Sequence, residues 1–390
     1  VFGVGTAANI SPVGAIVYKA SLDWAGLNLF PMRVFCYILL GANMFLLYAL
    51  ARRLSGSCEI GFLAALLHAF HYNFGGLYYN NGTVYDILCF FFTFGSFLFY
   101  VRADQEDRPG RIWRPAIFGI LVLLALNSKE MALAIPFLVG SYEFLFHKPE
   151  GWSAGKLGGW LRKAWPGPVA SAVLCTVYYL GRITGKGGVS SSGMYHFQIG
   201  LAAYLKQTGH YLDELFYKVD WFTATGTTVF LLVLLGVALL LRSRLLLFGL
   251  VLFAAGILPI AFIPPRSLNA AYIPVAGLAL YLAGLLVKMR DWLVDFGARL
   301  LRTKPQEPVS ELICLPKVLL FVFVAYCLLN LHQYNRSQWE AWQKEYGPIR
   351  SYMTELQRLH PTMPKGARVL VVRYPFGEFN WASNFITLLV

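Results

Sequence analysis

The feature that most constrains this chain is a succession of near-continuous apolar runs. Two of them, Leu245–Ile263 and Tyr272–Val287, hold no charged residue at all. A run approaching ~20 apolar residues is long enough to cross the hydrocarbon core of a bilayer. Inside that core every backbone polar group must be satisfied within the protein, which leaves helices or closed barrels. Barrel strands are short and alternate in polarity, so solidly apolar runs exclude them. The chain therefore reads as an all-α polytopic transmembrane helical bundle. Composition agrees: 57% of the 390 residues are hydrophobic and 14% charged, against about a quarter charged in soluble domains.

Ten spans are expected: Met32–Leu50, Ile60–Tyr79, Tyr85–Tyr100, Pro115–Leu126, Met131–Phe146, Pro168–Gly181, Thr228–Leu241, Leu245–Ile263, Tyr272–Val287 and Pro316–Leu331. Basic residues sort between the connecting segments. Arg52 and Arg53 follow the first span, Arg102 to Arg114 the third, Lys148 to Lys163 the fifth, Arg242 and Arg244 the seventh, and Lys288 to Lys317 the ninth. The segments between hold few, so every second one is expected to face the cytoplasm. The net charge of +13 thus orients the chain in a membrane, and nucleic acid is not an expected partner. The organisation that follows is the remainder of a first external loop over 1–31, a transmembrane domain over 32–331, and the start of a small external α/β segment over 332–390. Ala367–Arg373 is a strand candidate there. An N-terminus on the external side implies a span preceding Val1, so the chain is expected to be a fragment.

One stretch resists a simple span. Asn127-Ser128-Lys129-Glu130 sits between the apolar runs Pro115–Leu126 and Met131–Phe146. A single helix through all of it would be roughly 48 Å long at ~1.5 Å per residue, too long for a ~30 Å core. It would also strand a lysine and a glutamate near mid-membrane, where ionisable groups are costly and mark function. A hairpin with its polar tip outside avoids both. Two other loops on that side carry Asp86 and Arg266. Lys129 supplies a point charge and Arg266 a planar fork, the chemistry that holds a phosphate-bearing headgroup. Asp86 and Glu130 are candidates for orienting Lys129 or an acceptor.

Other features carry less. His68 and His71 are three residues apart, but no third ligand has motif spacing, so polar packing is the expected role. Glu143 reads as a packing residue. The six cysteines form no CxxC pair, so neither a zinc site nor a disulfide framework is indicated. Gly181 to Gly187 lacks the spacing of a nucleotide-binding phosphate loop.

The run Leu126-Asn127-Ser128-Lys129-Glu130-Met131-Ala132-Leu133-Ala134-Ile135-Pro136, followed by Tyr142-Glu143, resembles the "SKE…P…E" segment of the polytopic GT-C glycosyltransferases, in particular the protein O-mannosyltransferase group. Leu27–Arg53, Ala64–Asp86, Arg266–Gly277 and the tail from Trp339 resemble further segments of that family. The resemblance implies a GT-C-like bundle in a bacterial inner membrane with its active face outside. It implies a polyprenyl-phosphate sugar donor, membrane lipid around the spans, and a protein, glycan or lipid hydroxyl as acceptor. Lys129 and Arg266 would bind the donor phosphate, with Asp86 and Glu130 as candidate catalytic carboxylates. The family's main catalytic acid lies in the first external loop, so its counterpart is expected upstream of Val1. Gly41 stands where the family has a histidine, and His71-Tyr72 where it has His-Pro. A divalent metal is compatible with this chemistry, but no ligand motif marks a site. The competing classes are a transporter or flippase of lipid-linked sugars and a non-catalytic assembly subunit. The first should show internal repeats and broken helices; the second should lack an external acid.

Overall fold

The computed structural model describes residues 11–26, 28, 30–69, 71, 74–105, 113–149, 153–184, 198–217, 220–300 and 315–330, with scattered positions between 336 and 359. Helix is the only regular structure among them. The elements are α1 (Pro12–Ala25), α2 (Phe30–Ser55), α3 (Cys58–Ala69), α4 (Gly75–Tyr79), α5 (Val84–Gln105), α6 (Trp113–Leu126), α7 (Ile135–His147), α8 (Ala154–Ala164), α9 (Pro166–Thr184), α10 (Leu201–Leu215), α11 (Ala224–Leu240), α12 (Arg244–Ala261) and α13 (Tyr272–Leu300). The chain divides into two units, Val1–Lys317 and Val318–Val390. The described part of the second unit is mainly the body of the apolar helix Leu315–Asn330.

Four helical stretches among the described residues are long and apolar enough to cross a membrane: Phe30–Ser55, Asn81–Gln105, Arg244–Ala261 and Leu268–Gly297. Cys58–Ala69, Trp113–Leu126, Ala224–Leu240 and Leu315–Asn330 are apolar but shorter. The 12 residues of α3 rise only about 18 Å. The expected span Ile60–Tyr79 therefore does not run through. It breaks after Ala69 and resumes as the short α4 before the 3₁₀ turn Asn81–Thr83. Asn80 starts that turn, its side chain accepting from the Gly82 N–H at 2.8 Å. Pro115–Phe146 is interrupted at its polar tip: α6 ends at Leu126 and a 3₁₀ turn, Glu130–Ala134, leads into α7. Two stretches expected to be loop hold helices. Pro12–Ala25 forms α1, started by proline at its first turn. Leu201–Leu215 forms α10, whose Gln207, Thr208, Tyr211, Leu212 and Leu215 share one buried face. The strand candidate Ala367–Arg373 lies outside the described residues.

The core is densest where α12 meets α13. In a membrane, helices gain little from burying apolar surface, so close backbone approach through small residues carries the packing. Gly249 and Gly277 face each other so closely that a methyl group on either would meet backbone of the other helix. A methyl on Gly256 would lie 2.9 Å from Pro274. Tyr281, fully buried, donates its hydroxyl to the Leu234 carbonyl at 2.7 Å and ties α11 to this pair.

Charged contacts cluster at one end of the bundle. Arg53 donates to Gln105 at 3.0 Å, Arg114 to the Ala103 carbonyl at 2.9 Å, and Arg290 pairs with Glu59. The opposite end gathers the turns that precede α5, α7 and α13.

Candidate functional site

Three turns meet at that opposite end. The first, Asn80–Asp86, opens α5; the second, Asn127–Ala134, opens α7; the third, Arg266–Ala271, opens α13. Gly76, just before the first turn, is in close contact with the third: a methyl on it would run into the Asn269 amide nitrogen. A side chain at Gly76 would require the Asn269 amide to move aside. The Val13 N–H donates to the Asn127 carbonyl at 3.2 Å, so α1 rests on the second turn.

Asp86 and Lys129 form the centre. Lys129 Nζ lies 2.5 Å from Asp86 Oδ1. The Asp86 side chain is 8% exposed and that of Lys129 23%. Asp86 stands in the first turn of α5, where free N–H groups favour an anion. Lys129 is held from its backbone as well: its N–H donates to the Ala125 carbonyl at 3.1 Å, and its carbonyl accepts from the Cys89 thiol at 3.4 Å. Ser128 beside it is fully buried and donates back to the Leu124 carbonyl at 2.8 Å. The four-residue tip is thus a fitted turn. Burial pulls the Lys129 ammonium down, but the Asp86 carboxylate, aided by Glu130, more than offsets this and holds it above its ordinary value. It is a charged lysine in a confined, low-polarity place, where attraction to an anion is stronger than in water.

Glu130 follows at the start of the 3₁₀ turn, within electrostatic reach of Lys129. Arg266 is exposed in the third turn. What connects it to Lys129 is a residue that the sequence reading passed over. Tyr211 of α10 is 1% exposed. Its hydroxyl sits beside the Arg266 backbone and within electrostatic reach of Lys129, and burial raises its pKa. The signal was present in the spacing of Tyr204, Thr208, Tyr211, Leu212 and Leu215, a helical stripe in a segment read as loop. Tyr204 donates to the Ala254 carbonyl of α12 at 3.0 Å, which seats α10 beside the site.

The two histidines share Phe74 as a neighbour and differ in their other partners. His68 is fully buried with its ring 4.7 Å from Tyr272 and 5.4 Å from both Phe74 and Phe90. The Nε2 of His71 is 2.8 Å from the Leu215 carbonyl, tying the break after α3 to α10. Among the described residues, the histidine and carboxylates close enough to share one cation lie at the far end of the bundle.

A family model described as dolichyl-phosphate-mannose-protein mannosyltransferase matches residues 9–161. The match covers less than half of the chain. It includes Asp86, Lys129 and Glu130 and stops short of Tyr211 and Arg266. It points to a membrane glycosyltransferase with a lipid-linked sugar donor. No curated protein and no solved structure matches the chain.

Proposed function

We propose that this chain is a GT-C-type glycosyltransferase that moves a sugar from a polyprenyl-phosphate donor to an acceptor hydroxyl at the end of the bundle holding Asp86 and Lys129. The observation that carries the reading is the confined Asp86–Lys129 pair, set in a fitted turn with Arg266 nearby. In the transfer, the bond between the anomeric carbon and the phosphate oxygen breaks and negative charge builds on the departing lipid phosphate. Fixed cations aimed at developing charge stabilise it without reorganising. Lys129 takes that role, with Arg266 gripping the same phosphate from the third turn. Asp86, already bound to Lys129, positions the ammonium. Glu130 is the carboxylate suited to orient the acceptor hydroxyl, whose oxygen bonds to the anomeric carbon as the phosphate leaves and its proton passes to a carboxylate base. A protein hydroxyl is the acceptor favoured by the family description. The apolar faces around the turns suit a polyprenyl chain, and the basic opposite end suits the cytoplasm.

The deciding experiment is transfer in detergent solution, with a synthetic polyprenyl-phosphate sugar and a serine- and threonine-containing peptide. Detergent removes any membrane across which a flippase could act. Lys129→Ala is expected to lower turnover by roughly 10²- to 10³-fold, the cost of losing one preorganised donor at a developing charge. Lys129→Arg should restore part of it. Wild-type turnover in Lys129→Ala protein would sink the proposal.

A further inference from the structure

At the far end of the same two helices that carry the site lies a second polar cluster, Asp104 of α5 with Glu143 and His147 of α7. Asp104 is 18 residues beyond Asp86 on α5, or about 27 Å along the axis at ~1.5 Å per residue. Glu143 and His147 are one helical turn apart and face the same way. His147 Nε2 is 3.3 Å from Asp104 Oδ2, and His147 Nδ1 is 3.2 Å from Glu143 Oε2. Taking one donor atom from each residue, all three lie within 4.8 Å of one another.

We infer that Asp104, Glu143 and His147 form a divalent-cation site that fastens α5 to α7. Three features support it. The donors are two carboxylates and an imidazole, a set that suits first-row transition ions such as Mn²⁺, Co²⁺ or Zn²⁺. The nitrogen disfavours Mg²⁺ and Ca²⁺, which take oxygen ligands. Both carboxylates are also oriented from behind: Tyr100 donates to Glu143 Oε1 at 2.7 Å and Tyr142 to Asp104 Oδ2 at 3.2 Å. Outer-shell hydrogen bonds of this kind fix metal ligands in place. Tyr100 takes Oε1 of Glu143 and leaves Oε2 turned to His147, while Oδ2 of Asp104 meets both Tyr142 and His147. Finally, the Glu143 side chain is 8% exposed, and a carboxylate so buried needs a positive partner, which either an ion or a protonated His147 can supply. Lys163 lies within electrostatic reach of His147, and Arg114 donates to the carbonyl of Ala103 on the turn of Asp104. Donors around a tetrahedral ion with bonds of ~2.0–2.1 Å are about 3.3 Å apart. In the structure the two carboxylates meet opposite nitrogens of the imidazole, so closing on an ion requires one of them to swing to the nitrogen that the ion takes, with water filling the remaining position.

The probes are Co²⁺ and Zn²⁺ alone, added to the full chain in detergent after chelator treatment. Wild-type protein should take up one Co²⁺ per chain with d–d absorption in the visible, and Zn²⁺ should displace it and raise the Tm. Asp104→Asn and His147→Gln should each weaken Co²⁺ by at least about tenfold, and Tyr100→Phe by about tenfold, as loss of outer-shell support does. Asp104 is 27% exposed and its change is isosteric, so Asp104→Asn decides the matter if the His147 variant fails to fold. Absence of uptake at micromolar Co²⁺, or unchanged affinity in Asp104→Asn protein, would show the cluster to be an ion pair only and overturn the inference.

Discussion

Lys129 and Asp86 are each poor tenants of an apolar bundle on their own, and their pairing is what makes either tolerable. A buried pair returns little net stability, because desolvation of both groups consumes most of the attraction, but removing one partner leaves an uncompensated charge. Asp86→Asn is therefore expected to destabilise the protein by about 3–5 kcal/mol. The double variant Asp86→Asn, Lys129→Met should lose less than the sum of the two single changes, with a coupling within the roughly 0.5–3 kcal/mol seen for residues in contact. Thermal or denaturant unfolding in detergent measures both. The pH dependence has a definite sign. Lys129 is held above its ordinary pKa of 10.5, so its contribution is complete below that value and is lost only as pH rises through the folded pKa. The coupling should therefore not weaken as pH rises from about 6 to about 9. A coupling that fades across that window would show that the ammonium is not held charged.

At the scale of elements, two devices aim the side chains. One is the interruption of helices. α3 stops at Ala69, α6 stops at Leu126, and 3₁₀ turns open α5, α7 and α13. Each interruption puts polar backbone and a charged side chain where a continuous helix would have placed a lipid-facing wall. The other is the tight α12–α13 contact, which sets the position of the turn carrying Arg266. Gly277→Leu would drive a side chain into the Gly249 carbonyl and the Phe253 N–H, and that backbone cannot yield as a flexible side chain would. It is expected to cost more than about 3 kcal/mol, above the usual 1–3 kcal/mol of overpacking, and to lower the Tm. Gly41→Leu, where nothing lies within 4 Å, should change the Tm little. Equal effects of the two would remove the contact from the account.

For the molecule as a whole, polarity is divided between the ends. Basic residues with Glu59, Gln105 and the Asp104 cluster occupy one end, and the confined pair with its three turns occupies the other. This division predicts topology. Asn127 is half-exposed at the tip, whereas its neighbour Ser128 is fully buried. In a variant lacking native cysteines, Asn127→Cys should react with a membrane-impermeant thiol reagent on intact cells, and Arg242→Cys only after permeabilisation. The reverse pattern would invert the assigned orientation.

Much of this was legible in the sequence by itself, because long apolar runs and backbone hydrogen bonding leave one fold class for such a chain. The interruption of Pro115–Phe146 was readable for a similar reason: Lys129 and Glu130 cannot lie unpaired in mid-membrane. Asp86, Lys129, Glu130 and Arg266 stood out as charges beside apolar runs. Only the tertiary structure decided which of them meet. It paired Lys129 with Asp86, 43 residues away, and brought Tyr211 beside the Arg266 backbone and within electrostatic reach of Lys129. It also gathered Asp104, Glu143 and His147 at the far end. Local patterning reports what each residue costs where it sits, whereas pairing depends on how separate helices pack, and that is set by contacts such as Gly249 on Gly277 that no single segment contains.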